Sequence, residues 1–197
     1  PNARFAGIPF EEKIKIKTIT QAQIAMRLRE DLQEHHLPST DGYADRPAET
    51  HDSHHHLRCA AVLIPLTYYQ DEWHLLFTRR TESLNDNSGQ VSFPGGRCDD
   101  EDRSPEETAL REAFEEVGLL KKDITLLGRV HDVITVTNFA ITPVVGVFPF
   151  PYSFRISTIE VERVFTMPLK WLANPKNYWQ FQHPRAKHPV IAYHPFD

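Results

Sequence analysis

Residues 85–119 read NDNSGQVSFPGGRCDDEDRSPEETALREAFEEVGL, and the helix that ends this stretch organises the rest. Ser104 suits an N-cap, Pro105 the first helical position, and Glu107 a capping box with Ser104. Gly118 suits a left-handed C-terminal cap, so the spacing predicts a helix over 105–117. At about 3.6 residues per turn, Leu110, Ala113, Phe114 and Val117 form one apolar stripe expected to face the core. Glu112, Glu115 and Glu116 fall on the opposite side, with Glu112 and Glu116 one turn apart. Like charges so spaced destabilise a helix by roughly 0.2–0.5 kcal/mol per pair, and the C-terminal end of the helix dipole disfavours two of them. A compensating cation is therefore expected. Mg2+ or Mn2+ fits, because both are hard ions that prefer carboxylate oxygens. Three acids alone would favour a solvated acidic face, which helices often carry.

Two neighbouring features narrow that choice. Phe93-Pro94-Gly95-Gly96 pairs glycines after a proline, which predicts a tight loop whose backbone can approach a ligand. Gly95 and Gly96 are therefore candidate substrate contacts. The acidic run Asp99-Asp100-Glu101-Asp102 leads into the helix but lacks the ligand order and central glycine of a calcium-binding EF-hand loop.

Outward from this segment the texture is mixed. Residues 1–37 read as an arm, with alternating Ile14 and Ile16, followed by a helix over about 21–36. Thr20 and Gln23 suit a capping box, Ile19 and Ile24 a hydrophobic staple, and Ile24, Leu28 and Leu32 an apolar stripe. Residues 38–57 are polar and contain His51, His54, His55 and His56; adjacent histidines on a loop with no cysteine partner favour a surface loop over a zinc site. From residue 58 strands dominate: 59–66 and 73–78 as a hairpin about Tyr69-Gln70-Asp71-Glu72, then 124–135, 139–148 and 158–166. A short helix over 169–173 and two extended pieces follow. Strands and helices do not alternate strictly, so the plan is mixed α/β (α+β).

Composition excludes several classes. A formal net charge of -5 provides no basic footprint for nucleic acid, and no apolar run approaches the roughly 20 residues a membrane helix needs. Cys59 and Cys98 form neither a metal spacing nor a disulfide framework, which suits a reducing, cytoplasmic location. Homo-oligomerisation is left open. The chain starts at Pro1 rather than methionine, leaving room for a preceding segment.

Taken together, Gly96, Arg111-Glu112, Glu115-Glu116 and Gly118-Leu119 resemble the Nudix box, a glycine loop followed by a helix reading Arg-Glu-apolar-x-Glu-Glu-x-Gly-apolar. The resemblance implies a Nudix fold over 58–197, an α/β/α sandwich with a mixed central sheet. It also implies divalent metal on Glu112, Glu115 and Glu116, and an arginine, Arg111, paired with an acid earlier in the box. The usual box has that acid eight residues before the arginine; here Arg103 stands there, and the interval from Gly96 to Arg111 is one residue longer. Asp102, six residues after Gly96, is the expected partner. The longer box, with Leu75–Gly96 reading LLFTRRTESLNDNSGQVSFPGG and Thr108–Ala113 reading TALREA, is similar to the coenzyme A pyrophosphatase branch. Asn87 departs from that branch, where histidine is frequent. The branch continues into a further helix, so a truncated C-terminus is expected here.

The implied activity is metal-dependent hydrolysis of a phosphoanhydride, with coenzyme A or a derivative as substrate and 3',5'-ADP and 4'-phosphopantetheine as products. The alternatives are ADP-ribose or another nucleoside diphosphate derivative, or a Nudix-fold nucleotide-binding module without catalysis. Glu112 and Glu115, with Arg111, are the expected catalytic group. Glu112, Glu115, Glu160 and Glu162 are all candidates for general base, and Arg80, with Arg79 beside it, for phosphate contact. Arg79 and Arg80 read equally well as surface arginines at a strand end. Glu112→Gln and Glu116→Gln are each expected to lower turnover on the order of 10³-fold at saturating metal. The fold should survive, because both residues are read as facing away from the core. Near-normal rates in both variants would show that these are not the ligands.

Overall fold

Strand β1 (Arg58–Tyr69) and strand β2 (Glu72–Arg80) form an antiparallel hairpin closed by Gln70 and Asp71. Both turn residues take positive φ, 49 and 62 degrees, the twist that a two-residue hairpin needs. The computed structural model describes residues 19–34, 57–82, 89–135, 137–181 and 190–195. The expected N-terminal arm, the histidine-rich loop with His51 to His56, Asn87, His183 and His188 lie outside them.

The hairpin opens into a fork. Near the turn β1 pairs with β2, from Leu66 opposite Leu75 to Tyr69 opposite Glu72. Further back, β1 instead pairs with β4 (Gly95–Arg97), while β2 pairs with β3 (Val91–Ser92). Phe93 and Pro94 cross between the two arms, and the Leu63 N–H donates to the Pro94 carbonyl at 2.9 Å. The remaining strands complete a mixed sheet. β7 (Phe139–Val147) lies parallel to β1, while β5 (Thr125–Arg129) and β6 (Val133–Ile134) pair antiparallel with β7. β8 (Val161–Pro168) pairs antiparallel with β2. A separate hairpin, β9 (Tyr178–Phe181) with β10 (Val190–Tyr193), follows the short helix α3 (Leu169–Leu172).

Alternation along the strands divides the core into two layers. Ala61, Leu63, Leu76 and Val144 face helix α2 (Pro105–Val117), which contributes Ala109, Ala113 and Val117. Leu66, Trp73, Val145 and Val147 face the other way, toward Ile24, Ala25 and Leu28 of helix α1 (Gln21–Glu34). The expected sandwich is thus present, with a helix on each face of a mixed sheet. The Thr20–Gln23 capping box forms reciprocally, at 2.8 and 3.2 Å. The Trp73 indole N–H donates to the Ile19 carbonyl at 2.8 Å and ties the start of α1 to β2.

Several expectations are corrected. Leu32 is exposed rather than part of the apolar stripe. Gly95 and Gly96 lie in a strand, not a tight loop, and neither has positive φ. Their value is the missing side chain: a Cβ on Gly95 would sit 2.5 Å from the Ala61 carbonyl oxygen. The long strand expected over 124–135 is broken between β5 and β6. Cys59 and Cys98 are disulfide-bonded. Their 39-residue separation hides the pairing, but Ala60 lies opposite Arg97, so the cysteines fall opposite each other with Cα atoms 5.4 Å apart. The expectation of two unpaired cysteines is overturned, and with it the argument for a reducing compartment. No described helix is long and apolar enough to cross a membrane.

The C-terminal end of α2 is closed by Gly118, with φ of 74 degrees, whose N–H reaches the Phe114 carbonyl at 2.9 Å. A Cβ there would meet Arg155 backbone nitrogen at 3.0 Å. Gly118→Ala should therefore cost about 2 kcal/mol of stability, from the left-handed backbone and the contact together. Urea unfolding monitored by circular dichroism checks this; an unchanged midpoint would contradict it.

Candidate active site

Helix α2 is delivered to the fork by its N-terminal loop. The Ser104 hydroxyl accepts from the Glu107 N–H at 3.3 Å, and the Glu107 carboxylate accepts from the Arg103 N–H at 2.9 Å. Asp102 is nearly buried and is the hub of this loop. It accepts from the Asp99 N–H at 2.9 Å, from the Thr108 hydroxyl at 2.9 Å and from the Arg111 guanidinium at 2.8 Å. The Arg111 bond holds the Asp102 carboxyl below its usual range, and Asp102 raises the Arg111 guanidinium above its own. Arg111 extends the network to the Arg97 carbonyl at 2.9 Å, to Glu112 at 2.9 Å and to Glu115 at 3.1 Å.

The three helix glutamates occupy different environments. Glu115 is half-exposed and drawn to Arg111. The Glu112 side chain is 15% exposed, and its carboxyl lies against Gly96, where a Cβ would come within 2.5 Å of it. Burial pushes its carboxyl up, while Arg111 opposes the shift. Glu116 is buried, at 3% exposure. Burial first, then the charges of Glu112 and Glu160, push its carboxyl up to about 8, against the opposing effect of Arg80 and the Gly95 N–H.

The expected core stripe holds at Leu110, Ala113 and Val117, which are buried; it is corrected at Phe114, which is 42% exposed, and at Glu116, which is buried beside Ala109 and Ala113. The two alanines allow close approach to the sheet, which rotates Glu116 inward and turns Phe114 toward solvent. Glu116 therefore does not face away from the core.

The segment after β7 supplies a further acid. The Arg155 N–H donates to the Val117 carbonyl at 3.0 Å and the Ser157 N–H to the Glu116 carbonyl at 2.8 Å, capping α2. This docking carries Glu160 close enough to Glu112 and Glu116 to oppose their ionisation. Glu162 instead pairs with Arg79 at 3.1 Å, and Arg79 also reaches Glu82. Arg80 lies near Glu116, and its buried Nε has no hydrogen-bond partner among the described residues. An open cavity of about 420 Å³ adjoins Glu112, lined by Arg97, Cys98, Asp99, Asp100 and Arg111.

Among the described residues, no three acidic, histidine or cysteine side chains form a ready cage for a metal. Glu112 and Glu116 nevertheless fit a divalent cation chemically. They are two adjacent carboxylates whose ionised forms are disfavoured by burial and by mutual repulsion, and a cation reverses both effects.

A mixed sheet between two helices, with buried glutamates on one helix and glycines facing them, defines the Nudix class of fold. Residues 57–183 match the NUDIX domain, and the chain belongs to that family. It is 44% identical over 115 residues to Nudix hydrolase NudL of Pectobacterium atrosepticum, covering 58% of this chain and 59% of that protein. To NudL of Escherichia coli K12 it is 43% identical over 124 residues, covering 63% and 64%. The chain thus spans less than two thirds of the curated relatives it matches. The Nudix hydrolase RenU of M. smegmatis shares the fold, with a TM-score of 0.51 and 21% identity over 59% of this chain and 73% of that one.

The raised Glu116 carboxyl has a consequence for stability. The folded state holds this proton more tightly than the unfolded chain, so metal-free stability falls as pH rises from the ordinary carboxylate range through about 8. Melting temperatures of the chelator-treated protein should therefore drop between about pH 6 and about pH 8.5. Glu116→Gln should flatten the profile, and added divalent cation should restore the loss. A wild-type profile that matches the variant's would contradict the assignment.

Proposed function

We propose that the chain hydrolyses a phosphoanhydride bond in a nucleoside diphosphate joined to a second moiety. One observation carries this reading: buried Glu116 and partly buried Glu112 lie one helical turn apart at the sheet fork, Glu112 against Gly96 and Glu116 near Arg80. Members of the family generally use a divalent cation. Glu112 and Glu116 would hold Mg2+ or Mn2+, with Glu115 at the rim. Once bound, the ion lowers the pKa of a coordinated water and neutralises charge on the phosphoryl oxygens.

The protein groups divide the remaining work. Arg80 has an unpartnered Nε beside Glu116, suited to donate to a phosphoryl oxygen in place of the acceptor it lacks. Glu160 takes the proton from the attacking water as general base. Of the other candidates, Glu162 is paired with Arg79 and Glu115 with Arg111, while Glu112 is committed to the cation. Arg111 acts as a positioning residue: with Asp102 it fixes the helix glutamates relative to β4. Gly95 and Gly96 act by leaving room, Gly96 for the Glu112 carboxylate and Gly95 for the backbone of β1.

Coenzyme A or a derivative is the finer substrate reading, supported by the resemblance of Leu75–Gly96. ADP-ribose and other nucleoside diphosphate derivatives share the bond and form the broader class. Incubation with coenzyme A and with ADP-ribose, in Mg2+ or Mn2+ and with products identified by mass, tests both levels. Cleavage of either at the diphosphate supports the reaction, and a preference identifies the substrate. Nucleotide binding without turnover on a wide panel would overturn hydrolysis in favour of a binding module.

A further inference from the structure

Strand β8 carries an extra residue where it passes Arg80. Arg79 stands opposite Arg163 and Arg80 opposite Val161, so Glu162 has no partner across the pair. Residues an odd number apart on a regular strand face opposite ways. Val161 and Val164 are three apart, yet both pack on the core beneath α2. The bulge resolves the conflict by re-aiming the side chains around it. Glu162 turns to Arg79, and Val161 reaches the core, leaving Glu160 at the start of the strand, near Glu112 and Glu116.

The backbone before the bulge is tied to β2 by one residue. Ser157–Glu160 is a turn, in which the Glu160 and Val161 N–H groups donate to the Ser157 carbonyl at 3.1 and 2.8 Å. Ile159 at its tip is 76% exposed, so apolar burial does little to hold it. The Thr81 hydroxyl donates to the Ile159 carbonyl at 2.8 Å, and the Thr81 N–H to the Glu160 carbonyl at 3.0 Å. Those carbonyls belong to the planar peptide groups on either side of the Glu160 Cα. Holding both fixes the direction in which the Glu160 side chain leaves the chain. Thr81 also follows Arg80, whose N–H donates to the Gln90 carbonyl at 2.9 Å. Arg80 and Glu160 are thus both referenced to the last turn of chain in β2.

We infer that Thr81 is a positioning residue for the reaction: its hydroxyl holds Glu160 at a fixed place relative to Arg80, Glu112 and Glu116. This rests on the reading of Glu160 as general base. A positioned base contributes on the order of 10²- to 10⁴-fold in rate, and a shift of about 1 Å forfeits much of that.

Thr81→Val keeps the side-chain shape and the N–H but removes the hydroxyl. On the nucleotide that wild type cleaves fastest, its kcat should fall about tenfold, with KM within about twofold. Thr81→Ser should restore kcat. In a Glu160→Gln background, Thr81→Val should cost nothing further. Amide hydrogen exchange at Glu160 and Val161, read by NMR on the metal-free protein, needs no turnover. It should be faster in Thr81→Val than in wild type or Thr81→Ser. Unchanged kcat or unchanged exchange in Thr81→Val would overturn the positioning role and leave Glu160 as base. An equal fall in both backgrounds would do the same. Wild-type turnover in Glu160→Gln would instead remove the base, and the role of Thr81 with it.

Discussion

Two consecutive positions without side chains let β4 lie between β1 and α2. At Gly95 the β1 backbone is too close for a Cβ, and at Gly96 the Glu112 carboxylate occupies the place a Cβ would take. That contact keeps water from the inner face of α2 and leaves Glu116 buried. It also sets the distance at which Arg111 can reach the Arg97 carbonyl while remaining bonded to Asp102. A larger residue at Gly96 would displace the Glu112 carboxylate, and one at Gly95 would push β4 off the β1 backbone.

The electrostatics follow from this packing. Buried Glu116 and partly buried Glu112, with a third acid supplied by the segment that caps α2, concentrate carboxyl groups inside a protein that is only moderately acidic as a whole. Such a concentration is costly when empty, because ionisation there opposes folding. A divalent cation bound there would relieve that cost. Arg111 satisfies Asp102 and also bonds Glu112 and Glu115, so of the three helix glutamates it leaves Glu116 unpaired.

The fork in the sheet adds a division of space. One arm, with β2, β3 and β8, brings Arg80 toward Glu116; the other, with β1, β4 and β7, brings Arg58 and Arg97 to Phe139. Disulfide bonding of Cys59 to Cys98 ties β4 to β1 at the base of the second arm.

Much of this was legible in local sequence. Ser104, Pro105, Glu107 and Gly118 bound α2, because caps depend on dihedral preferences and hydrogen bonds within a few residues. The α1 capping box and the β1–β2 hairpin are local for the same reason. The spacing of Glu112, Glu115 and Glu116 and the nearness of Asp102 to Arg111 were also readable, since one helix and its leading loop contain them all. Tertiary packing decided which way α2 faced: Ala109 and Ala113 let it settle closer to the sheet than an apolar stripe implies, burying Glu116 and exposing Phe114. It also brought Glu160 near Glu112 and Glu116 while pairing Glu162 with Arg79, joined Cys59 to Cys98 and set two arginines on one ring. Each of those outcomes depends on register between strands distant in the chain, which no short window of residues encodes.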